Sequence, residues 1–313
     1  MKQKDYEGVY SPSGFDIVKE DIYYCVQPRS QFRTEEKNSI NDVVLDFRSQ
    51  NTKFYIPAYS GIFHFVTEIL FSLILIYKKD PKCEFYIDVR TAYKEYQTEG
   101  SFIRSMLDLF SSNGFNIIII KPIDDLNTPF DILLNNTYSF NTRNAAFKYP
   151  NIKIFNDFID NLITRDFNVK PYRNVYLSRK KVPLKIDDGN ILIYDKRCND
   201  EKLIEDFFIS KGYEIVYPED FNNYHDQIKF FYEVKTLVSI TGAGLANEIY
   251  MKNGQKIIEL VTPLHAGKNY STQHNYYKEL AFLKKHVFIG LHNDKDTNEI
   301  IEILNRNESF FND

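Results

Sequence analysis

A run of small residues between two apolar segments has the composition of a phosphate-binding turn. It follows the apolar residues 237–240 and precedes a predicted helix, and it consists of Thr241, Gly242, Ala243 and Gly244. Without a Cβ atom, Gly242 and Gly244 let a ligand approach the backbone closely and can adopt unusual φ values. The first N–H groups of the helix and the positive end of its dipole suit a phosphate. This glycine turn, residues 241–244, therefore predicts an anion site.

Two arginines support the same prediction. Arg179 follows a predicted strand at 174–178, and Arg197 follows another at 191–194. A guanidinium can hold a diphosphate through two parallel contacts, each contributing about 1.5–3 kcal/mol. One arginine at a strand end is more often simply solvated. Two of them at matching strand ends, facing the glycine turn, favour a diphosphate site.

On its own, the glycine turn is equally compatible with a purely structural role, in which small residues let neighbouring elements pack closely. It is not a P-loop, because no Gly-Lys-Ser/Thr follows it. It is not the dinucleotide fingerprint, because a third glycine is missing and the turn comes late in its domain. An epimerase with a bound dinucleotide would need an early glycine-rich turn, which the first fifty residues lack.

Around these residues, strand and helix patterns alternate in the second half of the chain. Strands are predicted at 174–178, 191–194, 214–217, 237–240, 256–261 and 287–289. Helices are predicted from Asp200 to Lys211, at 224–234, from the glycine turn to about 251, at 276–285 and at 297–304. This alternation is typical of a parallel sheet covered by helices.

The first half shows a similar but less complete alternation. Strands are predicted at 43–47, 54–57, 85–89 and 116–120, and helices at 62–77 and 102–111. Residues 124–171 are expected to be irregular apart from a helix near 155–163, and the first forty residues have no clear period. We predict an α/β fold with two domains, 1–170 and 171–313, in which the final helix can pack back on the first.

Composition excludes some classes of partner. The chain has 313 residues, 43% hydrophobic and 26% charged, with a net charge of -4, so a nucleic-acid groove is not indicated. The longest apolar run, 62–77, contains His64 and Glu68 and is too short and polar for a membrane span. No signal peptide is visible at the polar start, so we expect a cytoplasmic protein of viral or bacterial origin.

The three cysteines, Cys25, Cys83 and Cys198, cannot all pair and lack metal-ligand spacing. We expect them to be reduced and structural. No Asp-x-Asp motif at a strand end suggests a cation site, so no metal and no tightly bound cofactor are expected.

Several motifs occur in an order typical of one enzyme family. They are residues 175–179, Arg197 with Asn199 and Glu201, residues 212–219 and 226–228, the glycine turn through Asn247, and Met251, Gly254 and residues 257–260. Residues 63–68 are similar to the Phe-His-x-Val-Thr-Asp segment of plant xylosyltransferases. By these motifs the chain resembles glycosyltransferase family 61, which includes plant core β-xylosyltransferases and animal O-linked N-acetylglucosaminyltransferases of EGF domains and dystroglycan. The family usually has His at the position of Thr241 and commonly Asp at that of Glu68.

The resemblance implies a GT-B fold, with two facing Rossmann-like domains and a nucleotide-sugar in the cleft. It also implies a metal-independent reaction that inverts the anomeric carbon. The expected donor is a UDP-sugar, xylose before N-acetylglucosamine, and the expected acceptor is a glycan or glycoprotein. The main alternative is a non-catalytic GT-B-like protein that binds a nucleotide-sugar or glycan, in which Thr241 marks lost activity.

An inverting transfer needs a base for the acceptor hydroxyl. Glu68 and His64 lie four residues apart on one face of the predicted helix 62–77. We favour Glu68 as the base, with His64 orienting it or touching the donor. Without the resemblance, an amphipathic core helix with a buried histidine would be the simpler interpretation.

Further residues are assigned to the donor. Ser178 can reach a phosphate, and Glu259, expected at a strand end, can bind the ribose hydroxyls. Leu245 and Asn247 lie close to the glycine turn in sequence, although Asn247, like Gln227 and Asn199, is also a natural capping or supporting group. The predicted donor site therefore comprises Ser178, Arg179, Arg197, Thr241, Gly242, Ala243, Gly244, Leu245, Asn247 and Glu259.

Overall fold

The computed structural model describes fifteen parts of the chain. They are residues 23–27, 53–57, 71–89, 96–97, 101–120, 137–141, 153, 156–161, 169–179, 186–187, 190–191, 200–261, 277–278, 280–292 and 297–311. Backbone contacts divide the chain into two compact units with a boundary between residues 162 and 163, and residues 223–225 group with the first. None of the helices in the described ranges has the length and apolar character that a membrane span requires.

The first unit contains a parallel sheet of five strands. They are β1 (Tyr23–Gln27), β2 (Lys53–Pro57), β3 (Glu84–Asp88), β4 (Asn116–Ile120) and β5 (Thr137–Asn141). The order in space is β4-β3-β2-β1-β5, with every pair parallel. Three of these strands were predicted. β5 lies in the segment that was expected to be irregular, and β1 lies in the first forty residues, for which no element was predicted. The strand predicted at 43–47 lies outside the described residues.

Local signals account for the helices of this unit. Helix α1 spans Phe71–Lys79, so the described part of the predicted helix 62–77 runs two residues further. Helix α2 spans Phe102–Ser112. The Ser101 hydroxyl caps α2 by accepting from the Arg104 N–H at 3.3 Å. The chain reverses at Gly114, whose φ of +91° favours glycine.

An aromatic cluster closes the core of the first unit. Phe115 stacks on Tyr77 at 3.9 Å between ring centroids and meets Phe110 edge-on at 4.7 Å. Phe158, in the described helical residues 156–161, adds a further edge contact with Phe115 at 5.6 Å. Cys83 is a free, buried thiol whose pKa is raised by burial and by nearby Asp80. It is therefore structural, as predicted.

The second unit contains another parallel sheet. Its strands are β6 (Arg173–Leu177), β9 (Glu214–Val216), β10 (Val234–Ile240), β11 (Lys256–Val261) and β12 (Val287–His292). The order is β12-β11-β10-β6-β9, and all pairs are parallel. The predicted α/β fold with parallel sheets is thus confirmed.

One predicted strand takes a different form. The segment 191–194 was expected to be a strand of the parallel sheet. Instead, β7 (Ile186–Asp187) and β8 (Asn190–Ile191) form a two-residue antiparallel pair separate from it. Residues 192–194 lie outside the described residues. β6 pairs with β10 and β9, so the described part of the predicted strand does not join the sheet.

In the described residues from 200 onwards, three α-helices match their predictions closely. They are α3 (Glu201–Ser210), α4 (Tyr224–Tyr232) and α5 (Thr297–Arg306). The first two residues of α4 group with the first unit. The Asp200 carboxylate caps α3 by accepting from the Lys202 N–H at 3.1 Å, and the chain leaves the helix through Gly212 at φ +77°. Helix α4 ends before the predicted residue 234 because Val234 already belongs to β10.

The core of the second unit lies between the sheet and helices α3 and α5. Tyr176 of β6 stacks on Phe208 of α3 at 4.7 Å, and both are fully buried. The same cluster contains alternate residues of the strands, including Val238 and Ile258, together with Ile300 of α5. Because side chains alternate along a strand, Leu177, Ser239 and Glu259 face the opposite side of the sheet.

The amino ends of the strands are joined by an ion-pair network around Arg173. Its Nε donates to Glu233 Oε2 at 2.6 Å, and its Nη1 donates to Glu214 Oε2 at 2.6 Å. The guanidinium also lies 4.8 Å from the Phe230 ring centroid. Arg173 therefore ties β6, β9 and the start of β10 together at the edge opposite the predicted site.

Candidate functional site

A cavity opens at the carboxyl ends of β6, β9 and β10, within the second unit. It is open to solvent, and the empty space within it, open solvent included, is about 280 Å³. Its lining residues are Leu177, Ser178, Arg179, Glu201, Pro218, Ser239, Ile240 and Gly244. In open α/β sheets, ligands bind at this edge. The cavity therefore lies where the sequence predicted the anion site.

Arg179 is the cationic group of this cavity. It lies two residues beyond the end of β6 and is half-buried. Within the described ranges its guanidinium forms no hydrogen bond or ion pair, in contrast to Arg173 at the other end of the strand. A half-buried guanidinium without a counter-charge can bind an anion, because its N–H donors are held in a fixed planar arrangement. Arg197, the second predicted arginine, lies outside the described residues.

The glycine turn leads into a 3₁₀ helix, Ala243–Tyr250, rather than the predicted α-helix. Leu245 makes the first bond of the helix, its N–H donating to the Gly242 carbonyl at 2.9 Å. The N–H groups of Ala243 and Gly244 therefore have no partner within the helix, and Gly244 lines the cavity. These two N–H groups are the backbone hydrogen-bond donors that the sequence predicted for an anion near Arg179.

The two glycines of the turn differ in what the structure shows for them. Gly242 has φ 166° and ψ 170°, which is ordinary extended backbone, so the unusual φ values that glycine allows are not used at this position. At Gly244, a Cβ atom would lie only 2.9 Å from Cδ2 of the buried Leu177. The close neighbour of Gly244 in the structure is thus a side chain of β6, which joins the glycine helix to that strand.

This contact predicts a stability effect for Gly244→Ala. The added methyl group must displace Leu177, and overpacking of this kind typically costs about 1–3 kcal/mol. We expect the free energy of unfolding in urea to fall by that amount, and the double variant Gly244→Ala with Leu177→Val to recover part of it. An unchanged unfolding midpoint for Gly244→Ala would contradict the contact.

Thr241 and Glu259 form a buried pair beneath the turn. The Thr241 hydroxyl donates to Glu259 Oε1 at 2.7 Å, and both residues are at most 2% exposed. Glu259 lies inside β11 and not at a strand end, so its predicted position was wrong. Its carboxylate faces Thr241 and not the cavity. We therefore reassign Glu259 from the ribose hydroxyls to the support of the glycine turn.

Leu245 and Asn247 also support the turn from inside. Leu245 is fully buried, and neither residue lines the cavity. The Asn247 side-chain amide donates to the Gly244 carbonyl at 2.8 Å, and its oxygen accepts from Gln227 at 2.7 Å. Asn247 and Gln227 therefore hold the backbone at Gly244, in the supporting role weighed for them from the sequence.

Ser178 bonds to a carboxylate that the sequence prediction missed. Its hydroxyl lies 2.6 Å from Glu205 Oε1 and 3.2 Å from Glu201 Oε1, and the Tyr217 hydroxyl donates to Glu205 Oε1 at 2.9 Å. Burial and the bond to Glu205 raise the pKa of Tyr217 to about 12. The Ser178 hydroxyl is thus held by Glu205 rather than directed at a phosphate.

A second group of buried ionisable side chains lies beneath the 3₁₀ helix. Glu248 is fully buried, and neither of its carboxyl oxygens has a hydrogen-bond partner in the described structure. Burial raises its pKa well above the ordinary value, nearby Glu259 adds to this, and Lys284 opposes it. His286 donates from Nε2 to the Glu248 carbonyl while Nδ1 accepts from the Gln255 N–H. Burial, with a smaller contribution from Lys284, lowers the pKa of His286 to about 3, so its ring is neutral.

The buried carboxyl of Glu248 predicts a pH-dependent stability. Above pH 4.5 the unfolded state loses this proton while the folded state keeps it, so the contribution to stability falls as pH rises. Glu248→Gln cannot titrate. We therefore expect the variant to gain in free energy of unfolding relative to the wild type between pH 5 and pH 8. His286 titrates in both proteins and cancels in this difference. A difference that shrinks with rising pH would contradict the prediction.

The cavity can bind a ligand that carries both an anion and hydroxyl groups. Arg179 and the N–H groups of Ala243 and Gly244 suit the anion, and Glu201 offers carboxylate oxygens that accept from hydroxyls. Within the described ranges, no group of three or more His, Cys, Asp or Glu side chains is arranged to hold a metal ion. Among the predicted residues, the structure brings Ser178, Arg179 and Gly244 to this cavity, while His64 and Glu68 lie outside the described residues.

Comparison with known proteins supplies the family. No curated protein matches the chain. The sequence model of the family Glycosyltransferase 61 matches residues 62–258, which is more than half of the chain. The matched range contains the segment 63–68, Arg179 and the whole glycine turn. The chain therefore belongs to glycosyltransferase family 61.

Proposed function

We propose that this glycosyltransferase transfers a sugar from a UDP-sugar to a glycan or glycoprotein by a single inverting displacement. Xylose is the favoured sugar and N-acetylglucosamine the next, because the segment 63–68 is most similar to that of plant xylosyltransferases. The GT-B arrangement of two Rossmann-like domains is part of this proposal. So is independence from metal ions, with activity expected to persist in EDTA.

The observation that supports the proposal is the charge of Arg179 at the sheet edge. When a glycosyl group leaves a nucleotide, negative charge develops on the diphosphate and must be neutralised. Arg179 and Gly244 line one cavity, and the N–H groups of Gly244 and the adjacent Ala243, unused within the helix, are suited to this charge. Arg197 is proposed as a second cation on the same diphosphate. These groups supply the neutralisation that a metal ion provides in other transferases.

The acceptor side is proposed from the sequence. Glu68 removes the proton of the acceptor hydroxyl as that oxygen attacks the anomeric carbon, and the carbon–oxygen bond to the diphosphate breaks. His64, four residues earlier on the same face of the helix predicted at 62–77, orients Glu68 or touches the donor. A base on the face opposite the leaving group is what inversion by one displacement requires.

A thermal-shift panel of UDP, GDP and CMP tests the nucleotide. A ligand that binds only the folded state stabilises by about 2.7 kcal/mol at a hundred times its Kd. We expect UDP to raise the unfolding temperature of the wild type and GDP and CMP to have little effect. If no nucleotide raises it, the donor site proposed here is wrong.

Thr241 favours one alternative, a protein that binds a nucleotide-sugar or glycan without turnover. The family usually has histidine at this position, and the Thr241 hydroxyl is bonded to the buried Glu259. Release of UDP from UDP-xylose and from UDP-N-acetylglucosamine, measured with the purified protein, separates the two functions. UDP binding without release from either donor would favour the non-catalytic alternative.

A further inference from the structure

We infer that Glu205 is a positioning residue for the cavity, which acts by fixing the strand ends that carry Arg179 and Pro218. The inference rests on the donor-binding role proposed for Arg179. Glu205 does not line the cavity and is not placed in contact with the donor. Its effect on the donor is therefore expected to pass through Arg179.

The geometry joins two neighbouring strands to one carboxylate. Glu205 lies in α3 and is 9% exposed. The Ser178 hydroxyl, just after β6, donates to its Oε1 at 2.6 Å, and the Tyr217 hydroxyl, just after β9, donates to the same oxygen at 2.9 Å. Hydrogen bonds to an ionised carboxylate are short and strong, especially where water is largely excluded. One buried oxygen thus sets the separation of two strand ends.

Each anchored residue directly precedes a residue of the cavity wall. Arg179 follows Ser178, and Pro218 follows Tyr217, and both line the cavity. The Ser178 N–H donates to the Val216 carbonyl at 2.9 Å, so the extended β6–β9 ladder continues to this point. Because successive side chains of an extended chain point to opposite sides, holding Ser178 towards α3 directs Arg179 away from it, towards Gly244.

Glu201 is the less effective anchor. Its Oε1 lies 3.2 Å from the Ser178 oxygen, compared with 2.6 Å for Glu205, and a hydroxyl has a single proton to donate. The Tyr217 hydroxyl also donates its hydrogen bond to Glu205. Glu201, in contrast, is only half-buried and lines the cavity. The positioning role therefore falls to Glu205.

The first test measures UDP affinity by calorimetry in Glu205→Ala and Glu205→Gln. Glutamine keeps an oxygen that can accept from both hydroxyls, whereas alanine removes both bonds. A misplacement of about 1 Å can cost a large factor in binding or rate, so we expect a loss of about tenfold or more in Glu205→Ala. Glu205→Gln should stay within about threefold of the wild type, a difference of less than 1 kcal/mol. The matched control is Asp206→Ala, which removes an exposed carboxylate of the same helix that pairs with Lys202.

The second test is coupling with Arg179. If Glu205 acts through Arg179, then Glu205→Ala should cost no further UDP affinity in an Arg179→Ala background. Additive losses would overturn the inference and leave the role of Arg179 intact. An Arg179→Ala variant with wild-type affinity would instead overturn the proposed function. Should Glu205→Ala fail to fold, Ser178→Ala removes the bond next to Arg179 while keeping that of Tyr217, and the same coupling is expected.

Discussion

Replacing Arg179 with alanine should weaken UDP binding by about 10- to 100-fold without destabilising the protein. Charge-assisted hydrogen bonds contribute about 1.5–3 kcal/mol each, and 1.4 kcal/mol corresponds to tenfold in affinity. At a UDP concentration a hundred times the wild-type Kd, the wild type gains about 2.7 kcal/mol. A variant with hundredfold weaker affinity gains only about 0.4 kcal/mol under the same conditions. Thermal shifts with and without UDP measure this difference directly.

The ligand-free stability of this variant separates binding from folding. Because the guanidinium has no partner in the described structure, its removal should change the free energy of unfolding by less than about 0.5 kcal/mol. Arg306→Ala is a suitable control, since Arg306 is an exposed arginine of the same unit that pairs with Glu302. Arg179→Lys keeps the charge without the planar fork and should be intermediate. Equal UDP shifts in the wild type and Arg179→Ala would exclude Arg179 from the donor site.

The arginines at the two ends of β6 show why Arg179→Ala should affect UDP binding but not folding stability. At the amino end, Arg173 is bonded to Glu214 and Glu233, which satisfies its charge and joins neighbouring elements. At the carboxyl end, Arg179 is left with its charge unpaired among the described residues. An arginine at a strand end whose charge has no local partner departs from local consistency, and such departures are expected at functional sites.

Elements whose ends are set by neighbouring residues were predicted well. The carboxylate of Asp200 starts α3, and Gly212 ends it at a positive φ, as their residue types indicate. Strand β4 follows from four consecutive isoleucines after Asn116, although it is an edge strand of the described sheet in which Ile117, Ile118 and Ile119 are only half-buried. These signals are local, because a cap or a glycine turn depends on contacts within a few residues. The sequence therefore predicts them without knowledge of the fold.

Elements that depend on distant pairing were predicted poorly. β1 becomes a strand by pairing with β2 and β5, which lie far along the chain. Conversely, Ile191 has strong β propensity, but it pairs with Ile186 in a short antiparallel turn outside the sheet. The contact of Gly244 with Leu177 likewise joins residues far apart in sequence. Propensity and spacing carry no information about these partners.

Within the site, too, residues with local signals were predicted and a residue that depends on distant contacts was missed. Arg179 and the glycine turn were identified because their residue types and strand-end positions suggest phosphate binding. Glu205 was missed because its role depends on hydroxyls from two strands that the sequence does not show to be adjacent. A signal was present, since Glu201 and Glu205 lie four residues apart beside the apolar Ile204 and Phe208 of the same helix. A carboxylate next to the buried face of a helix needs a partner, and the nearest strand ends supply it.

The largest effect on turnover is expected at Glu68. General base catalysis contributes about 10²- to 10⁴-fold, so Glu68→Gln should lower kcat by that factor. Glutamine has nearly the same shape, and Glu68 is assigned to the acceptor and not to the diphosphate. UDP binding, measured by thermal shift, should therefore stay at the wild-type level. Arg179→Ala is expected to show the reverse pattern, since its main effect is a loss of UDP affinity.

His64 provides the comparison that assigns the base. If Glu68 takes the proton, His64→Gln should lower kcat less than Glu68→Gln does, because the carboxylate remains. The acidic limb of the pH profile of kcat/KM should then persist in His64→Gln and vanish in the residual activity of Glu68→Gln. The opposite result would make His64 the base and leave Glu68 to orient it, which their spacing of four residues on the predicted helix also permits. Near-normal turnover in both variants would remove the base from this segment altogether, while the donor site around Arg179 would stand on its own measurements.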